Sequence, residues 1–310
     1  MSLQLSYVVV TDTFATIRDV VRAVRASSIA AEVELVLVCP SERELGLDSS
    51  ETTGIGAVRV IEFGAVIPIS PARAAGIRAA TCAFVFVGET HSFPAEGCLE
   101  ALLAAHRSGD YAAVMPVIKN ANPEKALSWA GLMLTYRHWL EPAAREGIDV
   151  LSTYNACFRR DVLVRFGDRL TAMLDYGSGL DAEIRASGGH FLLEPAARLM
   201  HLNIAALRGW LPERFLSGRF WGNARSRHWS TWRRLRYVLG APLIPIMIAG
   251  RAIRSPQWAH HQHLMPRGTL ALVILSAVAT AAGELMAYVA GEGDTPIWLA
   301  EYELHRTRYL

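Results

Sequence analysis

The sequence contains few cysteines, and their spacing matches no metal-binding pattern. The four of them lie far apart along the chain, at Cys39, Cys82, Cys98 and Cys157. Cysteine-based zinc sites need ligand pairs only a few residues apart. Three of the four fall in or beside apolar runs, so buried thiols of a reducing cytoplasm are the simplest interpretation. The sequence therefore predicts no cysteine-ligated metal site.

The chain also has little net charge and lacks two N-terminal signals. Its formal net charge is +2, and a nucleic-acid-binding face would normally raise the total well above that. We therefore expect no nucleic-acid partner. The first residues, MSLQLSYVVVTD, have neither a charged segment nor a small-residue cleavage site, so we expect no secretion. The stretch TDTFATIRD has no glycine-rich loop, which argues against enzymes that hold phosphates in such a loop.

Hydrophobic residues, by contrast, are abundant. They make up 52% of the 310 residues, and the mean hydropathy is +0.22. A positive value of this kind favours a membrane-associated protein. A chain of this length forms one large domain or two ordinary ones, with a sizeable core.

Short apolar runs alternate with helical patterns in the N-terminal part. The runs are too short for free-standing helices and rich in residues that favour strands. They span residues 5–10, 33–38, 58–63 and 83–87. Between the first two, Ile17, Val21 and Val24 recur at the spacing of one helix face. The order of strand, helix and strand predicts an α/β fold with a parallel sheet and right-handed crossovers.

A helix is predicted directly before the fourth strand. Ser70 is expected as its N-cap and Pro71 in its first turn. Arg73 then also stands in the first turn, where a cation is unfavourable for the helix dipole. This arginine either binds an anionic ligand or is a solvated surface residue.

The polar cluster after the fourth strand is the central candidate site. Residues Gly88, Glu89, Thr90 and His91 follow the buried run 83–87. In an open parallel sheet, ligands bind in the crevice beyond the carboxyl ends of the strands. Glu89 and His91 are two residues apart, so both could reach a divalent cation if the turn keeps them on one side. The alternative is a polar turn with a solvated glutamate and a helix-capping residue.

The middle of the chain continues the alternation of strands and helices. We expect strands at residues 112–118, 151–160 and 190–194, the last closed by Pro195, and helices at 99–106, 127–139 and 161–166. Asp175 stands at the entrance to a further helix, where it is either a helix N-cap or a functional carboxylate. His201 ends the next apolar step, residues 197–200.

From Arg208 onward, the composition changes to a mixture of aromatic residues and arginines. Such a mixture ahead of an apolar run is typical of the headgroup layer of a membrane, and nucleic-acid binding is the alternative. Residues 237–250 are apolar but short and contain Pro242 and Pro245, so we expect them to lie in the interface. Residues 269–290 are long enough to span. We favour a re-entrant or surface-lying helix there over a crossing, with a buried core helix as the alternative.

Several segments, taken in order, resemble motifs of the family 2 glycosyltransferases of the GT-A fold. PARAAGIRAA and AFVFVGETHSFP resemble the family's A-R-N-x-G-x-x-A helix and D-x-D strand end. STYNACFRRDVL resembles its G-x-N-x-x-x-R-R strand, and DYGSGLDAEIRASGGHFLLEPAARLMH resembles its E-D-x-x-L-x-x-R-L-x-x-x-G helix with the following strand. GETH, KNANP, HLN and GELMAYVAG are similar to a bacterial membrane-associated branch with L-E-D-H in place of D-D-D.

This resemblance covers nearly the whole chain, but the sequence departs from the family at three places. Gly88, Glu89, Thr90 and His91 replace the metal-binding aspartates, an E-x-H-like motif in place of D-x-D. The run Cys39-Pro40-Ser41 stands where an aspartate that contacts uracil usually follows the second strand. Tyr176 and Gly177 stand where the acidic pair would fall, with Asp175 one residue earlier.

The resemblance implies a role for each candidate residue. The implied metal ligands are Glu89, His91 and His201, the donor-side residues Thr11, Arg73 and Glu89, the acceptor-side residues Asn155 and Arg159, and the general base Asp175. The implied cofactor is a divalent cation, Mn²⁺ or Mg²⁺, and the implied reaction is an inverting single displacement.

The implied architecture is a GT-A domain, Rossmann-like with a mainly parallel central sheet, at residues 1–207. A membrane-associated helical region follows at residues 208–310. The implied enzyme is a hexosyltransferase of polysaccharide biosynthesis at the cytoplasmic face of the inner membrane. It moves a sugar from a nucleotide-diphosphate sugar to a lipid-linked or envelope glycan acceptor, alone, as a homo-oligomer or as a complex subunit. Because the family's aspartates are missing, the alternative is a catalytically inactive GT-A-like subunit that binds or scaffolds.

Overall fold

A computed structural model describes residues 2–146, 150–175 and 178–310 of the chain. The chain divides into two compact units. The first unit comprises Met1–Lys119 and Ala143–His201, and the second comprises Asn120–Pro142 and Leu202–Leu310. The second unit thus includes a segment from the middle of the chain in addition to the C-terminal region. The functional division at residue 208 stays a prediction.

An eight-stranded mixed sheet forms the centre of the first unit. Its strands are β1 Leu5–Val10, β2 Val33–Cys39, β3 Ala57–Glu62, β4 Phe84–Val87, β5 Ser92–Pro94, β6 Tyr111–Asn120, β7 Ala156–Arg159 and β8 His190–His201. Their order across the sheet is β3-β2-β1-β4-β7-β6-β8-β5. The first four strands of this order are parallel to one another, and every residue of β1 and β2 is buried. The predicted parallel strands are confirmed, with bounds that differ by at most one residue.

Helices cover the sheet and connect its strands. Those of the first unit are α1 Phe14–Arg25, α2 Glu42–Leu45, α3 Ile69–Ala79, α4 Cys98–Ser108, α6 Arg160–Val164, α7 Leu170–Met173 and α8 Leu180–Ala186. The helix α3 packs closely on β1, since a Cβ on Gly76 would lie 2.5 Å from Cγ1 of Val8. Only a residue without a side chain permits this close approach.

The start of α3 differs from the prediction. The helix begins at Ile69 with the extended residue Pro68 as its N-cap, and no side chain caps it. Ser70 is therefore already inside the first turn and does not cap the helix. Arg73 consequently lies in the second turn, where the helix dipole weighs less on it.

The other half of the sheet contains antiparallel pairs, whereas the alternation of strands and helices predicts a parallel sheet. The strand β7 is antiparallel to both β4 and β6, and it is shorter than the predicted strand 151–160. Pro195 does not close a strand, because β8 continues through it to His201. The short strand β5 pairs only with the last three residues of β8. Pro195 lies before this pairing, so the N–H that proline lacks is not needed for a hydrogen bond to β5.

The second unit is helical. Its helices are α5 Ala126–Thr135, α9 Leu207–Ser226, α10 Thr231–Gly240, α11 Ile244–Ile253, α12 Pro256–His261, α13 Thr269–Ala290 and α14 Thr295–Leu304. The helices α9 and α13 cross in backbone contact, since a Cβ on Gly218 would lie 2.0 Å from the carbonyl oxygen of Thr280. The predicted helix 269–290 is confirmed with the same bounds.

Two helical segments of the second unit are long and apolar enough to cross a membrane. They are α13 and the run Thr231–Ile253, in which a short 3-10 turn, Ala241–Leu243, joins α10 to α11. The two prolines of this run, Pro242 and Pro245, lie in the 3-10 turn and at the start of α11, and the helical path continues through them.

Candidate metal centre

The candidate site begins at the carboxyl end of β4. The backbone N–H of Gly88 donates to the carbonyl oxygen of Val8 at 2.8 Å, which continues the β1–β4 pairing by one residue. A Cβ on Gly88 would lie 2.6 Å from the Tyr7 ring, so only glycine fits above this buried phenol. The chain then leads through Glu89, Thr90 and His91 into β5.

Three buried side chains converge at this strand end. Glu89, His91 and His201 each offer one ligand atom, and these atoms lie within 4.8 Å of one another. Oε2 of Glu89 lies 3.5 Å from Nε2 of His91 and 3.7 Å from Nε2 of His201. The two imidazole rings stand nearly perpendicular, at 81°. The pairing of β5 with β8 places His201 opposite Ser92 and so beside His91.

The carboxylate of Glu89 is held by neighbouring donors. Nδ2 of Asn155 donates to Oε2 of Glu89 at 2.5 Å, and the Ser92 hydroxyl donates to the same oxygen at 2.9 Å. Nδ2 of Asn155 also lies 3.1 Å from Oγ of Ser92. Asn155 has a φ of 56°, which is the only left-handed backbone among the described non-glycine residues. Its backbone N–H bonds to the carbonyl oxygen of Val87, so this strained residue is fixed against the end of β4.

The donor set fits a divalent cation. One carboxylate oxygen and two imidazole nitrogens are ligands that manganese, zinc and iron accept, whereas magnesium favours oxygen ligands alone. Outer hydrogen bonds of the kind that Asn155 and Ser92 give to Glu89 usually orient metal ligands. Among the described residues, no other group of three such side chains comes together. The expected divalent-cation site therefore has residues that could hold the ion.

The floor of the site is apolar and neutral. Burial raises the pKa of Tyr7 well above its usual range, and the nearby Cys98 and Glu89 add to the shift. The phenol therefore stays protonated at any physiological pH. The ring stacks on Phe86 with a centroid distance of 4.8 Å.

Arg73 is a buried cation on α3. Its guanidinium lies 5.3 Å from the centre of the Tyr154 ring, and its Nε has no hydrogen-bond partner among the described residues. Burying a guanidinium costs free energy that a matching anion offsets. A buried guanidinium of this kind is suited to bind an anion, and the donor-side role of Arg73 stays a prediction.

The remaining predicted site residues lie in different places. Thr11 is buried at the carboxyl end of β1 and donates its hydroxyl proton to the carbonyl oxygen of Thr13 at 2.8 Å. Asp175 is exposed in the turn after α7, and it does not cap α8, whose N-cap is Gly179. Tyr176 and Gly177, which stand in place of the acidic pair, lie outside the described residues.

Arg159 is not brought to the cluster. The register pairs Arg159 with Phe84, at the amino end of β4, while Glu89 follows the carboxyl end. The side chain of Arg159 forms ion pairs with Asp110 and Asp161, and the second pair raises its pKa. Arg159 therefore lies at the opposite end of β4 from the cluster, and its acceptor-side role stays a prediction. Asn155 and Arg159 stand at the two ends of β7. Asn155 directly precedes the strand and lies beside Glu89, whereas Arg159 is the last residue of the strand.

Sequence reasoning did not identify two residues of the site. Ser92 and Tyr7 both border Glu89, but neither carried a motif of its own. The position of Ser92, one residue after the Glu89–His91 pair, was a usable signal, since a hydroxyl there can reach back to the carboxylate. Tyr7 lies inside an apolar run and gave no such signal.

No family model matches the sequence, and the comparison with curated proteins found no match. Solved structures resemble the chain in fold. The mannosyltransferase PcManGT from Pyrobaculum calidifontis, in complex with GDP-Man and Mn²⁺, is 16% identical with a TM-score of 0.51. The match covers 97% of this chain and 79% of that one.

Two further structures are similar at lower TM-scores. TarS residues 1–349 from S. aureus are 12% identical with a TM-score of 0.46, over 85% of this chain and 69% of that one. GalNAc-T7 with UDP, GalNAc and Mn²⁺ is 16% identical with a TM-score of 0.49, over 65% of this chain. The match spans only 44% of the GalNAc-T7 chain.

At these identities, the likeness to PcManGT defines the fold. The chain has a GT-A-type α/β fold, a mixed and mainly parallel sheet surrounded by helices, with apolar helices in its second unit. The predicted fold class is confirmed.

Proposed function

We propose that this chain is a glycosyltransferase of family 2 that uses a nucleotide-diphosphate sugar as donor. The observation that carries the proposal is the buried Glu89, His91 and His201 cluster at the carboxyl end of β4. In a GT-A-type sheet, a ligand crevice is expected at the carboxyl ends of the parallel strands. The proposal is further supported by PcManGT, a mannosyltransferase of similar fold whose structure contains GDP-Man and Mn²⁺.

In this proposal, Glu89, His91 and His201 hold a divalent cation, and Asn155 and Ser92 orient the carboxylate. When bound, the cation neutralises the charge that develops on the leaving diphosphate. Arg73 binds the same diphosphate through its guanidinium, and Thr11 lines the donor side at the end of β1.

The proposed reaction is a single displacement. Asp175 accepts the proton of the acceptor hydroxyl, whose oxygen attacks the anomeric carbon as the bond from that carbon to the diphosphate oxygen breaks. The electron pair leaves with the diphosphate, and the configuration at the anomeric carbon inverts. Asp175 is exposed, as a residue that meets a large acceptor must be. The acceptor that we propose is a lipid-linked or envelope glycan at the cytoplasmic face of the inner membrane.

Nucleotide binding tests the proposal. Isothermal titration of the full chain with UDP- and GDP-sugars, with and without Mn²⁺, should show binding that depends on the ion. Glu89→Gln should abolish the ion-dependent part, because it removes the anionic ligand. Glu96→Gln is the matched control, since Glu96 is exposed a few residues away in the same segment.

Transfer assays separate the two steps. Asp175→Asn should retain ion-dependent donor binding and lose sugar transfer to native membrane lipids, detected by mass spectrometry. Failure to bind any nucleotide and any divalent cation would contradict the proposal. That result would favour the catalytically inactive binding or scaffolding subunit.

A further inference from the structure

An uninterrupted apolar stripe runs along the outer side of the helical run Thr231–Ile253. Its central members are Leu239, Leu243 and Ile246, which follow one another at helical spacing and are 74%, 60% and 69% exposed. Leu235 and Ile253 extend the same stripe and are also exposed. The opposite side of the run supplies Ala249 and Ala252 to a buried cluster with Val273 and Ala277 of α13. One side of the run is therefore packed, and the other has no protein cover.

The neighbouring helix α13 shows the same division. One side packs on α9, where a Cβ on Gly283 would lie 1.9 Å from the carbonyl oxygen of Phe215. The other side is apolar and exposed from end to end, at Leu270, Ile274, Val278, Met286 and Val289. Soluble monomers rarely expose apolar surfaces of this extent.

Positive charge borders the stripe at both ends. Arg233 and Arg236 are exposed on either side of Leu235 at its start, and Trp232 is 70% exposed beside them. Arg251 and Arg254 are exposed at its far end. The run Thr231–Ile253 contains no acidic residue. A second copy of the chain on this stripe would bring arginines near arginines, whereas anionic lipid headgroups are complementary to them.

The length of the apolar part indicates its orientation. Residues 237–250 lie between the arginines and measure roughly 20 Å at 1.5 Å per residue. The hydrocarbon layer of a bilayer is about 30 Å thick, so this part is too short to cross it between two charged ends. A helix with an apolar side, a packed side and charged ends fits the plane of the interface.

We propose that the second unit docks on an anionic bilayer in one leaflet, with the run Thr231–Ile253 parallel to the membrane plane. The Leu239, Leu243 and Ile246 side faces the acyl chains, and Arg233, Arg236 and Arg254 face lipid phosphates. This proposal deepens the membrane-linked acceptor of the proposed function, since it fixes which surface meets the lipid. It does not depend on the sugar-transfer chemistry.

Flotation of the purified full chain with vesicles tests the docking. The protein should float with vesicles of phosphatidylcholine and phosphatidylglycerol. Ile246→Glu should reduce the bound fraction about tenfold or more, because a carboxylate would enter the acyl boundary. Phe63→Glu is the matched control, as Phe63 is an exposed apolar residue of the first unit and should change nothing. The double variant Arg233→Gln, Arg236→Gln should reduce binding on the order of tenfold, only with anionic vesicles.

Depth measurement tests the orientation. The four native thiols are buried, so a fluorophore can be attached selectively at Leu239→Cys or at Ile253→Cys. Quenchers at graded depth should report equal depths for the two labels, whereas a crossing helix would separate them by roughly 20 Å. Unequal depths overturn the in-plane docking. Absence of flotation together with a stable dimer overturns the lipid as the partner in favour of a second copy.

Failure of this proposal is distinguishable from failure of the proposed function. Ion-dependent nucleotide binding is measured on the soluble chain without lipid, and Ile246→Glu should leave it unchanged. Loss of docking with intact nucleotide binding would contradict only the membrane arrangement.

Discussion

Asn155 and Glu89 are joined by a 2.5 Å hydrogen bond from Nδ2 to Oε2, and the asparagine makes it from a left-handed backbone with φ 56°. Asparagine tolerates this conformation better than most residues. The amide therefore reaches the carboxylate from the loop ahead of β7, although the two residues lie far apart in the sequence. Through this bond, Asn155 positions the carboxylate of Glu89, and its predicted acceptor-side role stays a prediction.

Asn155→Gly should weaken Mn²⁺ binding about tenfold to a hundredfold, because it removes the amide that orients Glu89. Glycine keeps the backbone conformation without strain, so the folded chain should keep its structure. Titration with Mn²⁺, monitored by calorimetry, measures the effect. Asn155→Ala provides the contrast, since it should lose affinity and also destabilise the chain. Equal Mn²⁺ affinity in Asn155→Gly and the wild type would contradict the positioning role.

Gly88→Ala should destabilise the first unit by about 1–3 kcal/mol, because the new methyl group would overlap the Tyr7 ring. The ring is fully buried against Phe86 and cannot move aside easily. The free energy of unfolding in urea measures the change, and Mn²⁺ affinity should fall as well. Gly250→Ala is the control, because a Cβ there meets open space. A Gly88→Ala variant as stable as the wild type would show that the strand end adapts.

Arg73→Met should lower nucleotide-diphosphate affinity on the order of tenfold or more, because a charge-assisted contact is lost. The stability of the free chain should stay the same or rise, since a buried guanidinium is replaced by an apolar side chain of similar length. Calorimetry and thermal unfolding measure the two effects. Arg78→Met, at an exposed position of the same helix, should leave nucleotide affinity unchanged. Unchanged nucleotide affinity in Arg73→Met would remove this residue from the donor site.

His106 should make the chain less stable in mild acid. Burial lowers the pKa of His106 from 6.5 to about 4, and its Nε2–H donates to the carbonyl oxygen of Cys157 at 2.9 Å. The unfolded chain therefore binds a proton that the folded chain does not bind between these two pH values. The stabilisation from the neutral ring is complete above pH 6.5 and falls by about 3 kcal/mol towards pH 4.

Urea unfolding of wild type and His106→Gln at pH 7 and pH 5 tests this pH dependence. The wild type should lose more stability between the two values than the variant, which has no group to titrate at that position. An identical loss in both proteins would assign the acid sensitivity to other groups.

The parallel half of the fold is predictable from local pattern alone. Strands β1 and β2 are apolar runs buried on both faces. A chain of this size has few other ways to bury such short runs than in a parallel sheet covered by helices. The place of Glu89 and His91 in the candidate site is predictable in the same way. Residues that follow a buried parallel strand lie at the carboxyl ends of the strands, where ligands bind.

The antiparallel half depends on pairings that no local pattern encodes. The strand β5 has only three residues and ends in proline, and it exists because β8 lies beside it. The position of Ser92 depends on the same pairing with β8. Ser70 and Pro71 are typical of a helix start, and for that reason the sequence predicts the start of α3 there. In the structure, Pro68 is the extended residue ahead of the helix, which begins at Ile69.

The register between β5 and β8 has a consequence for how the protein is made. His201 is the last residue of β8, so a nascent chain that has left the ribosome only as far as β7 can complete the parallel strands but lacks the third donor. Any ion can be captured by all three side chains only after β8 has emerged and paired. A captured ion would then tie the end of β4 to the end of β8, and its occupancy would oppose separation of these strands in the finished protein.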